Sequence, residues 1–296
     1  MTAAAPFRGE HPGGEAGRGP DGGLDGSWAG GGTPGRSTLE RVARAYEYQL
    51  LSYRRTWRGS IFNSFFSPTM FLLAMGVGLG SYIDRGGGSA TGGVSYLAFI
   101  APGLLAATVM QTAASEATFP IIAGFVWQKT FHAMFATPLQ PRDIALSHFA
   151  WTATRLTFVG AIFVFVTLLF GAVRSPLAIL AIPVATLTGM AFATPITAFA
   201  ATQKTMNKFS YLFRFAIMPL FLFSGTFFPI EQLPAVIQPI AWVTPLYHGV
   251  ALCRSLALGT VGDDPLGAGI HLAVLAAFSI VGLVAALRTF ERRLAT

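Results

Sequence analysis

Six stretches of about twenty apolar residues dominate this sequence. Each is long enough to cross the hydrocarbon core of a bilayer as a helix, which needs about 20 residues. They cover residues 60–82, 96–123, 144–170, 177–201, 209–228 and 266–287. The chain is 53% hydrophobic and 11% charged, about half the charge of a typical soluble protein. The sequence therefore predicts an all-α integral membrane protein with six transmembrane helices.

The part of the chain before the first apolar stretch has two different compositions. Residues 1–36 are rich in Gly and Pro and lack an apolar run, so we expect a disordered cytoplasmic tail and not a signal peptide. Residues 37–58 begin with the capping-box pair Ser37 and Glu40. Their apolar residues recur at spacings of three and four: Leu39, Val42, Tyr46, Leu50, Tyr53 and Trp57. This pattern predicts an amphipathic interfacial helix; a helix packed on a soluble domain is the alternative.

Residues 59–296 form the predicted transmembrane domain, and one apolar part of it is too broken to span. Between the fifth and sixth stretches, residues 229–259 contain four prolines, at positions 229, 234, 239 and 245. Proline removes a backbone donor and interrupts helices, so each piece is short. The segment predicts one or two re-entrant helices that dip into the external side of the membrane.

Lysine and arginine are distributed unevenly between the two sides of the predicted spans. If the amino terminus is inside, the cytoplasmic faces hold the basic residues of 36–58, Lys129, Arg142, Lys204, Lys208 and the arginines of 288–293. The external faces hold only Arg85, Arg174 and Arg254. This asymmetry predicts that both termini are cytoplasmic. It also accounts for the net charge of +7 without nucleic acid, for which the sequence has no binding motif.

The second span carries a polar stripe at helical spacing. The stripe consists of Thr108, Gln111, Thr112, Ser115 and Glu116. A polar side of this kind favours contact with a neighbouring helix or a water-filled path over contact with lipid. Glu116 is either a functional group of that path or half of a structural ion pair, with Arg155 or Arg214 as its partner.

Two other spans carry weaker patterns. Phe221 and Phe223 in the fifth stretch are candidates to line a wall for an amphiphilic cargo, because aromatic side chains offer large apolar surfaces. Side chains that simply face lipid are the alternative. In the first stretch, Gly76 and Gly80 have the spacing that allows two helices to approach closely.

Signatures of catalysis and of metal binding are missing from the sequence. It has no GxxxxGK[ST] loop for nucleotide phosphates, no GxSxG and no HExxH. Its one cysteine, Cys253, excludes an internal disulfide. We therefore expect no catalytic residue, no metal site and no cofactor on this chain.

Three stretches resemble the permeases of the ABC type-2 exporter family. They read YLAFIAPGLLAATVMQTAASEATF, QKTFHAMFATPLQPRDIALSH and FLFSGTFFPIEQLPAVIQPIAWVTPLYHGVALCRSLALG. They are similar to permeases that export nodulation-factor lipo-oligosaccharides and to related drug-export permeases. The resemblance implies a transport subunit, not an enzyme, in the bacterial cytoplasmic membrane. It also implies a homodimer of this chain with two P-loop ATPase subunits, which bind the ATP and Mg.

The resemblance further implies that residues 124–141 contain a coupling helix, at 127–137, which docks on the ATPase. Its expected apolar anchors are Trp127, Phe131 and Met134, and its expected polar contacts are Gln128, Lys129 and His132. Lys204 and Lys208 in the second cytoplasmic loop are expected to touch the same partner. The expected cargo path is lined by Gln111, Ser115, Glu116, Phe221 and Phe223. A helix that lies flat on the membrane is the alternative for residues 127–137.

The residues and the resemblance together predict an ATP-driven exporter. Its cargo would be an amphiphile, such as a lipo-oligosaccharide, a glycolipid or a hydrophobic drug, taken from the cytoplasm or the inner leaflet. Two other functions stay open. One is an ATP-independent channel or proton-coupled carrier in which Glu116 titrates. The other is a membrane-embedded transferase in which His132, His148 or Asp143 performs acid-base chemistry.

Overall fold

The computed structural model describes residues 37–54, 57–85, 94–236 and 238–295; the predicted tail, 1–36, lies outside them. The α-helices of the described residues are α1 Thr38–Tyr53, α2 Trp57–Phe71, α3 Gly80–Arg85, α4 Tyr96–Glu116, α5 Phe119–Ile122, α6 Thr130–Phe135, α7 Pro141–Leu169, α8 Ala181–Ala200, α9 Asn207–Leu212, α10 Met218–Phe223, α11 Gln238–Val243, α12 Pro245–Leu258 and α13 Pro265–Leu294. Wider π-helical turns connect some of them, at Leu72–Leu79, Ala123–Trp127 and Phe213–Ile217. The described part of the chain contains no strand, which agrees with the all-α prediction.

Five helices of the described residues are long and apolar enough to cross a membrane. They are Trp57–Ile83, Tyr96–Trp127, Pro141–Leu169, Pro176–Ala200 and Pro265–Leu294, and each matches a predicted span. The remaining predicted span, 209–228, corresponds to α9, a π-helical turn and α10, which are 6, 5 and 6 residues long. At ~1.5 Å per residue this helix measures about 25 Å, less than the ~30 Å of a hydrocarbon core. It ends at Phe223, five residues earlier than predicted.

The helix α4 occupies the centre of the structure. It is packed against α7, α8 and α12, and most of its residues are buried. Gly189 of α8 allows the close approach, because a Cβ atom there would lie 2.6 Å from Leu156 and 2.9 Å from Val109. The helix α13 packs along α8 in the same way, at Gly282. The core is therefore built by small residues that let long apolar helices meet.

The amino-terminal helix α1 packs along α7. Ser37 caps α1, since its Oγ accepts a hydrogen bond of 3.3 Å from the Glu40 amide. Tyr46 and Tyr53, from the apolar side of α1, contact the ring of Trp151 edge-on, at centroid distances of 5.9 and 5.2 Å. The support of α1 is therefore a candidate span and not a soluble domain. The helix ends at Tyr53, before the predicted limit of residue 58.

The proline-rich part after α10 contains short helices. A 3₁₀ turn, Ile230–Gln232, precedes α11 and α12. Pro245 occupies the first turn of α12, where its missing amide hydrogen costs nothing. Gly259 ends α12 with φ of 83°, a left-handed conformation that glycine adopts without strain. Both α11 and α12 are too short to cross a bilayer.

Candidate functional site

The segment between α4 and α7 contains the predicted coupling helix. After α5 and a π-helical turn, Ala123–Trp127, the chain forms α6, which covers only Thr130–Phe135. Lys129 lies between them in the left-handed region, with φ of 52°, so the two helices cannot be continuous. The helix in this segment, α6, is therefore shorter than the predicted coupling helix at 127–137, and Trp127 belongs to the turn before it.

One side of α6 is buried in an aromatic cluster. Phe131 is 5% exposed, and its ring centroid lies 4.9 Å from that of Phe125 and 5.5 Å from that of Phe290. Phe125 and Phe290 are themselves 5.0 Å apart. Met134 is half-buried against the same core. The ring of Phe131 is therefore buried inside the chain and is not exposed to a partner. This differs from its expected role as an anchor.

The opposite side of this segment is exposed, and we call it the α6 surface. It consists of Trp127, Gln128, Lys129, His132 and Phe135. Trp127 is 55% exposed and Phe135 is 40% exposed. Two large apolar side chains beside a cation form the kind of patch that protein interfaces use. Phe135 was not among the expected contacts; its position one turn after His132 is the signal that could have indicated it.

Arg293, near the end of α13, joins this segment to the loop that follows α8. Its Cζ lies 4.3 Å from the ring centroid of Phe125. Its Nη1 donates to the carbonyl oxygen of Ala201, and to that of Gln203 at 3.0 Å. Carbonyls at the end of a helix are natural acceptors for a cation. Lys204 is exposed in that loop, residues 201–206, and Lys208 is exposed in the first turn of α9. We call residues 201–206 the lysine loop. Arg293 thus connects the α6 segment to the lysine loop.

The polar stripe is the partly open side of the central helix. Between Thr108 and Glu116, the five residues of the stripe are partly exposed, and the four residues between them are buried. The stripe hydroxyls bond within their own helix: Thr112 donates to the Thr108 carbonyl at 2.9 Å, and Ser115 to that of Gln111 at 3.0 Å. Gln111 and Ser115 therefore lie on the side of α4 that remains available to another surface.

Glu116, at the end of the stripe, is paired with Arg155 of α7. The distance from Oε1 to Nη2 is 3.2 Å, and the side chains are 17% and 16% exposed. Arg155 also donates from Nη1 to Ser60 Oγ at 2.6 Å, and its Cζ lies 4.6 Å from the ring centroid of Tyr53. Arg214, the other predicted partner, is exposed on a π-helical turn. Of the two predicted partners, Arg155 is confirmed.

This ion pair lines an open cleft of about 340 Å³, which we call the inner cleft after the side on which the sequence predicts it. The lining residues are Gln49, Ser52, Tyr53, Ser60, Glu116, Pro120, Trp151 and Arg155. The lining combines aromatic rings, hydroxyl groups and one neutralised charge pair, so it suits a ligand with polar and apolar parts. Helix α1 forms one wall of the inner cleft, so the amino-terminal helix is part of this candidate site.

The other expected path residues do not line the inner cleft. Phe221 is half-buried and contacts Phe227 at a centroid distance of 5.1 Å. Phe223 is 40% exposed at the end of α10. Within one chain, Gln111, Ser115 and Glu116 therefore share one side of α4. The two phenylalanines are not part of the inner cleft.

The three residues of the transferase hypothesis are not gathered in one site. Asp143 is buried, and its Oδ2 accepts from Arg41 Nε at 2.7 Å and from the Gln140 amide at 3.0 Å. His148 is 1% exposed, and His132 is exposed on the α6 surface. Asp143 thus fastens α1 to the first turn of α7. Within the described residues, no group of three or more His, Cys, Asp or Glu side chains could hold a metal ion.

A second cleft of about 340 Å³ lies beside the first turn of α4, and we call it the outer cleft after the side on which the sequence predicts it. Arg254 of α12 lies in its wall, where Nε donates to the Phe99 carbonyl at 3.2 Å and Nη2 to that of Gly225 at 2.8 Å. The guanidinium also lies over the Phe99 ring, 3.9 Å from its centroid. The charge distribution of the sequence assigns Arg254 only to an external face; a lone arginine inside an apolar segment is the signal that could have indicated this site.

Next to the outer cleft, two histidines connect α12 to α13. The Nδ1 atoms of His248 and His271 are 2.7 Å apart, and Tyr247 contacts both rings. One nitrogen must carry a proton and the other a lone pair for this hydrogen bond to exist. The residues are 23 positions apart, and no sequence pattern indicates that they meet.

Comparison with known proteins places this architecture. Residues 43–258 match the ABC-2 type transporter family. The chain is 30% identical over 245 residues to Nodulation protein J of Rhizobium leguminosarum bv. viciae, which covers 82% of this chain and 91% of that protein. Nodulation protein J of Rhizobium meliloti (strain 1021) is 29% identical over 82% of the chain and 90% of its own length. The Inner membrane transport permease YadH of Escherichia coli (strain K12) is 22% identical over 77% and 88%. This chain, with its long apolar helices, belongs to the ABC-2 type transporter family.

Proposed function

We propose that this chain is the transmembrane permease subunit of an ATP-driven ABC exporter that moves an amphiphilic cargo out of the cytoplasm or the inner leaflet. The α6 surface is the observation that carries this proposal. As a member of the ABC-2 family, the chain is a transport subunit and not an enzyme, and its apolar helices make it a multi-pass inner-membrane protein. Energy must then come from a partner, because the sequence has no phosphate-binding loop.

In this proposal, the α6 surface docks on a separate P-loop ATPase that binds ATP and Mg. Trp127 and Phe135 are the apolar anchors, and Lys129 and His132 make polar contacts. The aromatic cluster behind them gives the surface a rigid support, so that movement of the ATPase is transmitted to α13 and not absorbed locally. Lys204 and Lys208 extend the contact area, since Arg293 holds the loop of Lys204, which leads into the first turn of α9 with Lys208, to the same segment.

The proposed topology has six spans and two cytoplasmic termini. The helix from α9 to α10 serves as the fifth span, shorter than the others, and α11 and α12 enter the external side of the membrane without crossing it. The excess of lysine and arginine on the α6 side supports this orientation. Helix α1 lies along the cytoplasmic surface, where Leu39 and Leu50 are exposed for contact with lipid.

The cargo path lies along the open side of α4. Two copies of the chain would bring two polar stripes to face each other, which removes Gln111 and Ser115 from lipid. The inner cleft, with its aromatic and polar lining, receives the cargo from the inner leaflet. This mixed lining supports an amphiphile such as a lipo-oligosaccharide, a glycolipid or a hydrophobic drug, and the relative named Inner membrane transport permease YadH supports a role in transport.

Co-purification tests the ATPase contact directly. The chain is expressed with the ABC ATPase encoded beside it, and the complex is purified in lipid. We expect Trp127→Ala to lower the amount of bound ATPase and the ATP hydrolysis of the complex. Trp242→Ala is the matched control, because Trp242 is similarly exposed, at 49%, but lies on α11. Equal losses in both variants, or no bound ATPase in the wild type, would contradict the proposal.

The proton-coupled carrier remains the second candidate, and the placement of Glu116 in an open cleft favours it over the transferase. It differs from the exporter in its energy source. Purified chain in vesicles, without any ATPase, would then move solute when a proton gradient is applied, and Glu116→Gln would abolish that movement. An exporter permease shows no such movement until the ATPase and ATP are present.

A further inference from the structure

The outer cleft contains a cation, Arg254, which the carboxylate of Glu231 attracts without forming a salt bridge. The salt bridges found among the described residues do not include Arg254. Its Nε and Nη2 bond to main-chain carbonyls, and the described residues give Nη1 no acceptor. Burial lowers the pKa of Arg254 to about 10, so the guanidinium is charged at neutral pH. A partly buried cation without a salt bridge is stabilised further when a ligand supplies an opposite charge close to it.

The shape of the cleft indicates where such a ligand would lie. The cleft has room for a small polar group, at about 340 Å³, and Tyr247, Ser255 and Thr260 line it beside Arg254. The planar guanidinium is already held in place by the Phe99 ring and by two carbonyls. A preorganised fork of N–H donors matches the oxygens of phosphate, sulfate and carboxylate groups.

We propose that the outer cleft is a binding site for an anionic oxygen group, in which Arg254 supplies the charge and Tyr247 a hydroxyl donor. The ligand is the acidic head group of an amphiphile, and inorganic phosphate carries the same chemistry without the lipid tail. Only the placement of this site on the external side rests on the proposed topology; the binding itself does not. Nothing in the proposed transport cycle assigns a ligand to this cleft.

A neighbouring acid, Glu231, allows the proposal to be tested by two substitutions with opposite expected effects on anion affinity. Glu231 lines the same cleft, is exposed, and lies too far from Arg254 to pair with it. Its charge repels an anion and lowers affinity. Neutralising Glu231 must therefore strengthen anion binding, whereas neutralising Arg254 must weaken it. If Arg254 only connected Phe99 to Gly225, neither substitution would change the affinity for an anion.

The experiment measures thermal unfolding of the full-length chain in lipid discs. One arm adds inorganic phosphate to discs of phosphatidylcholine, at ionic strength matched with sodium chloride. The other arm replaces part of the phosphatidylcholine with phosphatidylglycerol. We expect Tm to rise in at least one arm; a rise with phosphate identifies the free oxygen anion as sufficient, and a rise with phosphatidylglycerol alone identifies a lipid head group.

The variants decide whether this rise comes from the outer cleft. Arg254→Gln should weaken the apparent affinity for the effective probe by about ten-fold or more, and Glu231→Gln should strengthen it. Arg174→Gln is the matched control, since Arg174 is exposed and its amide bonds to Ala257 near the end of α12. If Arg254→Gln does not fold, Glu231→Gln alone decides. No rise in either arm, no gain in Glu231→Gln, or an equal loss in Arg174→Gln overturns the proposal.

Discussion

Arg155 of α7 forms an ion pair of 3.2 Å with Glu116 at the end of the polar stripe of α4, and both side chains are mostly buried. The same guanidinium reaches Ser60 of α2 and the ring of Tyr53 in α1. Four helices therefore meet at one cation beside the inner cleft. These contacts fix the position of the Arg155 guanidinium, and the ion pair fixes the position of the Glu116 carboxylate.

The first prediction concerns the stability of this pair. Arg155→Met should destabilise the chain by about 2 kcal/mol, because it leaves the Glu116 carboxylate without its partner. This is less than a fully dry pair would lose, since the cleft admits water. The double variant Glu116→Gln with Arg155→Met should be more stable than Arg155→Met alone. Unfolding in lipid across the four-member mutant cycle measures the coupling, and strictly additive effects would show that the pair contributes nothing.

The second prediction separates the two sides of α6. Phe131→Ala should cost about 3 kcal/mol of stability, because it empties part of the cluster formed with Phe125 and Phe290. Phe135→Ala should change stability by no more than about 0.5 kcal/mol, since Phe135 is exposed, but it should reduce ATPase binding. Thermal unfolding and co-purification, measured on the same two variants, check both statements. A stable Phe131→Ala that releases the ATPase would reverse the assignment of the two faces.

Hydropathy alone predicted most of the architecture, because a bilayer requires about 20 apolar residues per span and few sequences satisfy this by chance. Five predicted spans match long apolar helices to within a few residues at most ends. The polar stripe and the pairing of Glu116 with Arg155 were also accessible, since helical spacing fixes which residues share a side. The length of the fifth stretch was overestimated because the helix ends at Phe223 while the apolar composition continues.

The details of α6 could not be predicted from its composition. In a helix of six residues, Phe131, Met134 and Phe135 are all apolar, and only the position of Phe125 and Phe290 decides which of them turns inward. The left-handed conformation of Lys129 also has no sequence signal, because glycine is the usual residue there. The site contacts of Arg254, and the pairing of two distant histidines, depend on tertiary packing alone.

The third prediction is a loss of stability in acid at the contact between α12 and α13. Burial, and then the neighbouring His271, lower the pKa of His248 below its ordinary value of 6.5, while a hydrogen bond with the Trp242 main chain acts in the opposite direction. The folded protein therefore keeps His248 neutral at a pH at which the unfolded chain protonates it. Its contribution to stability is complete above pH 6.5 and decreases as the pH falls below that value. A second proton on the pair would also remove the Nδ1–Nδ1 hydrogen bond.

Thermal unfolding between about pH 7.5 and 5 measures this effect. The wild type should lose more Tm over this range than His271→Asn, which cannot form a doubly protonated pair. His132→Asn is the control, because His132 is exposed on the α6 surface and should leave the wild-type pH profile unchanged. Asp264 and Tyr247 lie near the pair, and they are the same in all three proteins. Identical profiles for the wild type and His271→Asn would refute the prediction.

The last prediction concerns Arg293, which connects the α6 segment to the lysine loop. Arg293→Ala removes the contact with the Phe125 ring and both hydrogen bonds to the loop that follows α8. Hydrogen bonds from a charged group contribute about 1.5–3 kcal/mol, so local opening at 199–208 should become at least about ten-fold more frequent. Hydrogen–deuterium exchange of the purified chain in lipid measures this directly. Arg293→Lys should show an intermediate effect, since lysine keeps the charge but not the planar stacking. Arg288→Ala, an exposed arginine of the same helix, should leave exchange unchanged; faster exchange there would assign the effect to α13 as a whole and not to Arg293.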